Sequence, residues 1–396
     1  MFIVFLFVDT YTMKNKVAEG LTLFLMVIVC PVIIIFTMTY SDMSFAPNKM
    51  EYHQIQFHSN HLRRFEQTPQ PSSCHQNTSV YNLTDFGTLP AHVKNFLLYR
   101  HCRTFPLLLD APDKCGGPRH SADVFLLLVI KSSPQNYERR EVLRKTWAEE
   151  KLHNGVLIRR IFITGTTGSG FEKRRLNRLL KDENDHNEDI LQWDFDDSFY
   201  NLTLKQVLFL EWMERKCPHV RFLLNGDDDI FANTFNMIEY LQGLEENDGS
   251  KHLFTGFLFV NTGPSRDSSN KYYVPVQVQQ SDIYPPYCGG GGFLLSGFTA
   301  RTIYKMSHSI ELHPIDDAYM GMCLEKAGLM PTSHFGVRTI GLDVPGNDLD
   351  IFDPCYYREI ILVHRFLPHM IYVMWGEIQD PYLRCGNTNS SVQESQ

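Results

Sequence analysis

The sequence predicts an α/β fold, a mainly parallel sheet with helices on its faces, behind a single N-terminal transmembrane helix. Three observations lead there. Short apolar runs bounded by turns recur at Val124–Ile130, Ile161–Thr164, Ile190–Phe195 and Phe222–Leu224, each the length of a buried strand. Segments with helical spacing lie between them, as parallel strands require. Leu21–Tyr40 is an uncharged, apolar stretch, long enough to cross a bilayer as a helix.

Taken from the N-terminus, Lys14 and Lys16 precede the span and few basic residues follow it closely. Residues 1–20 are therefore expected in the cytosol, residues 21–40 as the anchor, and the rest across the membrane. No A-x-A pattern follows the span, which favours a retained anchor over a cleaved signal. The apolar residues 1–12 fit a cytosolic tail poorly. Met13, followed by Lys-Asn-Lys, is a more ordinary start, so 1–12 reads as a gene-model extension. Residues 41–95 are polar, rich in His, Gln, Asn, Ser and Pro, and are expected to form a stem. Residues 96–396 are expected to form one folded domain of about 300 residues.

Composition narrows the partners. With 37 basic against 45 acidic side chains and a formal net charge of −8, and no strongly basic run, nucleic acid is not an expected partner. The sequence does not fix whether copies associate as a homo-oligomer. Of nine cysteines, Cys30 lies in the span. The even remainder suggests disulfides in an oxidising compartment, and neighbour pairing would join Cys74 with Cys102 and Cys355 with Cys385. No C-x-x-C occurs, which argues against a zinc site. Sequons begin at Asn77, Asn82, Asn201 and Asn389.

Helices are expected over Arg139–Lys151 and Leu204–Lys216, with Trp147 and Trp212 in the core. The third acidic cluster, Asp194, Asp196 and Asp197, precedes the second of these, so capping is its cheaper reading. After Phe222–Leu224 comes Asn225-Gly226-Asp227-Asp228-Asp229. Adjacent carboxylates repel and raise one another's pKa when desolvated; a cation relieves this. They stand at a strand's carboxyl end, where α/β sheets bind ligands, and hard oxygen donors suit Mg²⁺ or Mn²⁺. An EF-hand loop would need Gly and Glu where Ala232 and Ile238 stand. A solvated acidic turn remains the bland alternative for the triplet alone. A second pair, Asp316 and Asp317, opens a helix expected from near Pro314. Before it, Tyr284-Pro-Pro-Tyr287 leads into Gly289–Gly292. Such glycines let backbone approach a ligand closely, or form a hairpin turn. Tyr287 could stack on a sugar or belong to the core.

Six blocks together resemble the inverting β-1,3-glycosyltransferases that extend galactose-ended glycans. They are Arg139–Trp147, Asp194–Lys205, Asn225–Phe231, Tyr287–Ser296, Ile315–Leu324 and Val363–Phe366, and the resemblance runs from about Leu97 to Gly386. Lys131-Ser-Ser-Pro134, Lys271–Pro275 and Tyr284–Gly292 look most like the β-1,3-N-acetylglucosaminyltransferases, those extending core 1 O-glycans in particular. The resemblance implies a GT-A type, Rossmann-like glycosyltransferase domain in the Golgi membrane, with type II topology and a luminal catalytic domain. It implies a UDP-GlcNAc donor, an acceptor glycan ending in galactose on a glycoprotein or glycolipid, and Mn²⁺ or Mg²⁺ as cofactor. Asp229 would bind the ion, with Asp227 and Asp228 contacting its waters or the nucleotide sugar, and His364 falls at the C-terminal ligand position. Asp317 would be the general base, supported by Asp316; its helix N-terminus is expected to lower its pKa. Lys131, Arg140, Arg144 and Lys205 could add positive charge around the UDP. Tyr287, Gly290 and Gly291 stand on the expected acceptor side. The rivals are a β-1,3-galactosyltransferase using UDP-galactose, a non-catalytic glycan-binding membrane protein, and a phosphoryl transferase. The last would want a phosphate-cradling glycine loop after the first strand, where Lys131-Ser132-Ser133-Pro134 stands instead.

Overall fold

Residues 74–339 and 352–385 are described by a computed structural model. The expected tail, the anchor at 21–40 and most of the expected stem lie outside the described residues. Among these, no helix is long and apolar enough to cross a membrane.

The strands of the main sheet are β1 (Leu107–Leu109), β2 (Val124–Lys131), β3 (Leu152–His153), β4 (Val156–Thr166), β5 (Ile190–Asp196) and β6 (Phe222–Asp227). β7 (Ile230–Ala232) belongs elsewhere; β8 (Phe254–Phe259), β9 (Tyr287–Ser296) and β10 (Thr332–Ser333) complete the sheet. Their order is β1-β5-β4-β2-β6-β9-β8-β10, with β3 on β4. The centre, β5-β4-β2-β6, is parallel, and β2 is buried along its whole length, as its unbroken apolar run requires. β9 returns antiparallel to β6. A smaller sheet, β11 (Val337–Arg338), β12 (Leu362–His364) and β7, lies beside it.

The helices are α1 (Ala91–Tyr99), α2 (Tyr137–Arg144), α3 (Gly170–Asn187), α4 (Leu202–Lys216), α5 (Thr234–Gln242), α6 (Gly297–Ser307), α7 (Asp316–Lys326), α8 (Pro354–Glu359) and α9 (Pro368–Ile378). Trp147 and Trp212 are fully buried, as expected. Three expectations shift. The helix expected to reach Lys151 ends at Arg144, where Trp147 turns inward and its indole N–H donates to the Ile230 carbonyl at 3.0 Å. The strand at Ile161–Thr164 begins earlier, at Val156, because the charged Arg160 is buried on Asp189 and reads as a strand breaker in sequence. Four residues of the expected stem, Val80, Phe86, Leu89 and Val93, are buried in the main core, at spacings too irregular to show a period.

A chain of buried charges ties α2 and α3 to the start of β5. Arg140 grips Glu183 through two bonds of 2.8 Å. Arg144 reaches Glu183 at 2.7 Å and Asp189 at 2.8 Å, and Arg160 meets Asp189 at 2.8 Å. Burial opposes ionisation of Asp189, but Arg144 and Arg160 hold its pKa below the usual range. Breaking a buried network strands its remaining charges. Glu183→Ala is therefore expected to destabilise the domain by about 3–5 kcal/mol, read from urea unfolding; a change under about 0.5 kcal/mol would show that the network contributes nothing to stability.

Candidate active site

Strand ends and one helix start converge on a cleft of about 730 Å³. The parallel register sets Lys131, the last residue of β2, beside Asp227, the last of β6. Lys131 Nζ lies 3.0 Å from Asp227 Oδ1 and 2.7 Å from Asp316 Oδ2. It thus joins the acidic triplet to the N-terminus of α7. Burial works against its charge, but Asp227, Asp316 and Asp317 outweigh this and hold its pKa well above the ordinary value.

The smaller sheet delivers the histidine. β7 starts directly after Asp229, and β12 pairs antiparallel with it, setting His364 opposite Ile230. The Phe366 N–H donates to the Asp229 carbonyl at 2.7 Å. His364 Nε2 lies 3.1 Å from Asp229 Oδ1 and 3.7 Å from Asp227 Oδ2. Candidate donor atoms of Asp227, Asp229 and His364 lie within 4.8 Å of one another. Two carboxylates and an imidazole fit a hard divalent ion such as Mn²⁺ or Mg²⁺. Burial opposes ionisation of Asp229, but the His364 hydrogen bond and Arg139 hold its pKa below the usual range.

Asp228 behaves differently. It is buried and accepts from Ser132 Oγ (2.7 Å), Asn136 Nδ2 (2.7 Å) and Arg139 Nη1 (3.0 Å). Burial raises its pKa despite these donors. Asp228 lines the cleft with its neighbours, and these three donors fix its carboxylate and anchor the triplet.

Arg140 and Arg144, expected at the donor, are not in the cleft. Both are spent on Glu183, and Arg144 also on Asp189. Arg140 also donates to Ser132 Oγ and the Ser133 carbonyl, so it shapes the loop after β2 from behind. Lys205 does line the cleft, but it is buried on Asp197 at 2.7 Å and donates to the Ser132 carbonyl at 3.0 Å. The acidic cluster before α4 makes no side-chain helix cap, contrary to the capping reading; Asp197 lines the cleft and is held there by Lys205. Asp197 also accepts from Thr164 and Gly165, and Asp194 meets Lys173.

The four glycines lie inside β9, in neither a loop nor a turn. Gly290 and Gly291 line the cleft, with φ of +81° and +94°. A Cβ on Gly291 would stand 2.5 Å from His364 Cγ, and one on Gly290 would stand 2.1 Å from Thr339 Cγ2. Gly290 and Gly291 thus leave room for Thr339 and His364 while lining the cleft themselves. Gly291→Ala should push His364 away and weaken metal binding by about 10–100-fold, measured by Mn²⁺ titration; unchanged affinity would mean that His364 is not a ligand. Tyr287 also lines the cleft, stacked on Phe259 with ring centroids 5.3 Å apart.

α7 begins at Asp316, two residues after Pro314, with Ile315 as its cap. Asp317 Oδ2 would stand 3.2 Å from a Cβ on Gly289. Its pKa is pushed well above the carboxylate range, first by burial and then by Asp316; Lys131 and the Gly290 N–H only partly offset this. Desolvation and a like charge therefore override the helix terminus expected to lower it.

Sequence reasoning missed Arg139, which meets both Asp228 and Asp229. It also missed Asn136, and the cleft residues Thr339 and Arg365. Adjacent Arg139 and Arg140 point about 100° apart on a helix, so one faces the cleft and the other the buried glutamate. Arg365 sits at φ +71°, a strained conformation that concentrates at functional sites and is invisible in sequence.

Residues 138–334 match the family described as Galactosyltransferase. Over 320 residues the chain is 55% identical to N-acetyllactosaminide beta-1,3-N-acetylglucosaminyltransferase 3 of Homo sapiens, covering 81% of this chain and 84% of that protein. It is 50% identical to the human acetylgalactosaminyl-O-glycosyl-glycoprotein beta-1,3-N-acetylglucosaminyltransferase over 79% of this chain and 80% of that one. It is 41% identical to UDP-GlcNAc:betaGal beta-1,3-N-acetylglucosaminyltransferase 7 of Mus musculus, over 77% and 75%. A solved galactosyltransferase with donor and acceptor sugar analogues aligns at 13% identity and a TM-score of 0.35, over 63% of this chain and 95% of that one, too remote to carry an argument.

Proposed function

This chain belongs to the galactosyltransferase family, and from that premise we propose that it transfers GlcNAc from UDP-GlcNAc, with inversion, in β-1,3 linkage to the terminal galactose of a glycan. The observation that carries the reading is one cleft holding Asp227, Asp229 and His364 on one wall and Asp317 on another, with Lys131 between them. The parallel sheet with carboxylates at a strand end supports a GT-A type fold. The relatives' names support core 1 O-glycans and N-acetyllactosamine chains as acceptors.

Asp227, Asp229 and His364 would hold Mn²⁺ or Mg²⁺, which when bound supplies Lewis-acid neutralisation of the leaving diphosphate. The remaining work falls to the chain's own groups. Asp317 accepts the proton of the galactose 3-hydroxyl as that oxygen attacks the anomeric carbon. Asp316, held by Lys131, keeps the neighbouring carboxylate in place and raises its basicity. Arg139, beside Asp229, keeps a fixed positive charge at the triplet. Tyr287 and Phe259 present stacked rings to the cleft, an apolar floor for a sugar face.

The site is proposed to work in the Golgi lumen behind a type II anchor at residues 21–40. Three disulfides, Cys74–Cys102, Cys115–Cys217 and Cys355–Cys385, support an oxidising compartment. Cys288 and Cys323 are buried and free, so not all the cysteines outside the span pair. The test offers purified full-length protein with Mn²⁺ either UDP-GlcNAc or UDP-galactose and a β-galactoside. Transfer of GlcNAc supports the reading; transfer of galactose alone moves the chain to the sister activity, and no transfer from either overturns catalysis.

A further inference from the structure

The outer face of α3 carries charge that its own chain does not neutralise. The helix buries Leu176, Leu180 and Glu183. On the side turned away from the core, Phe171 is 73% exposed and Leu179 57% exposed. Arg174, Arg175 and Arg178 are exposed as well, and their side chains make no hydrogen bond or ion pair among the described residues. Toward the C-terminal end the sign changes. Asp182 is exposed with its carboxylate unpaired, and Asp185 holds only Lys181, both side chains being more than half exposed.

This order runs against what a lone helix prefers. The helix dipole favours acidic groups near the N-terminus and basic groups near the C-terminus. Here Arg174 and Arg175 lie in the N-terminal half, while Asp185 and Glu188 lie at the C-terminal end; Glu172 and His186 are the exceptions. Lys181 ahead of Asp185 is also the weaker order for such a pair. A second helix lying antiparallel reverses the balance, because its basic half runs beside the acidic half of the first.

The spacing fits that partner. Phe171, Arg175, Arg178, Leu179, Asp182 and His186 follow one another at steps of four, three, one, three and four residues, so they form one stripe along the helix. The steps read the same from either end. A face that meets its own copy about a two-fold axis needs this self-complementarity.

We propose that two copies of this chain pair through α3, antiparallel about a two-fold axis. The Phe171 ring meets His186 of the second copy, Arg175 meets its Asp182, and the aliphatic stem of Arg178 covers its Leu179. The symmetry repeats each contact, so the stripe makes two Arg175–Asp182 ion pairs. An extended anionic surface does not fit the stripe, which turns acidic at Asp182. No residue of α3 lines the cleft, so both clefts stay open, and the pairing does not depend on the transferase reading. One helix face about 27 Å long gives an interface at the low end of specific sizes. The association is therefore weak and salt-sensitive.

The test is sedimentation equilibrium of purified full-length protein in density-matched detergent, at about 1–100 μM protein and at roughly 0.05 and 0.5 M salt. The variants are Arg175→Glu, Asp182→Lys and the two combined. The wild type is expected to pass from monomer to dimer over this range, and to return toward monomer at the higher salt. Each single variant sets like charges opposite one another twice and should weaken association by about tenfold or more. The combined variant exchanges the signs and should recover the wild-type affinity to within about threefold. Circular dichroism should match in all four proteins, since both substituted side chains are exposed. A wild type monomeric at every concentration would overturn the proposal. So would a dimer that neither single variant weakens, or a combined variant as weak as the single ones.

Discussion

Asp317→Asn is expected to lower kcat for GlcNAc transfer by about 10²–10⁴-fold, the usual contribution of a general base, with little change in the KM for UDP-GlcNAc. The substitution keeps size and shape, so circular dichroism and unfolding should match the wild type. The pH profile gives the role a second readout. A base works only when ionised, and burial together with Asp316 raises the pKa of Asp317. Activity should therefore fall as pH drops through that raised value, with an acidic limb of kcat/KM above the ordinary carboxylate range. Asp316→Asn removes the like charge and should move the limb to lower pH. A variant Asp317→Asn with near wild-type kcat would sink the assignment.

His364→Gln and Asp229→Asn are expected to cost more than the ~10–100-fold that loss of a supporting partner takes from metal affinity, because each removes a proposed ligand. Mn²⁺ titrations followed by turnover should show the half-saturating concentration rising by at least about 100-fold, with excess metal restoring part of the rate. Asp228→Asn tests the contrast. Asp228 is held by Ser132, Asn136 and Arg139 rather than facing His364, so its loss should reduce stability before it changes metal affinity. Equal metal defects at all three positions would remove the distinction drawn between the triplet's members.

Much of the sheet was legible because its central strands are buried on both faces and read as unbroken apolar runs. The triplet and the Asp316–Asp317 pair were legible because clustered carboxylates stand out against such runs. What sequence could not supply was direction. Arg139 and Arg140 have the same chemistry, and only the phase of α2 sends one to Asp229 and the other to Glu183. Gly289–Gly292 read as a loop or turn because glycine weakens strands; what crowds Gly290 and Gly291 in β9, Thr339 and His364, lies in chain remote from them. The helix terminus argued for a low pKa at Asp317, while the burial that raises it, with the Asp316 charge, comes from tertiary packing, and Lys131 and the Gly290 N–H offset it only in part. Two of the three disulfides followed from neighbour pairing. The third, Cys115–Cys217, spans 102 residues and gives no local signal.

The pairing of β12 with β7 has a consequence for how the protein matures. His364 lies inside the segment closed by Cys355–Cys385 and meets Asp229 across a sequence separation of 135 residues. Contacts so distant form late, after closure of long loops. A chain whose central sheet and acidic triplet have formed still lacks His364, the third of the proposed ligands. On the proposed mechanism it stays silent until β12 docks on β7. A chain cut before β12 would lose His364 together with Leu362, Val363, Phe366, Ile371 and Trp375 from the core behind β7, so completing the proposed metal site and completing that core are one event.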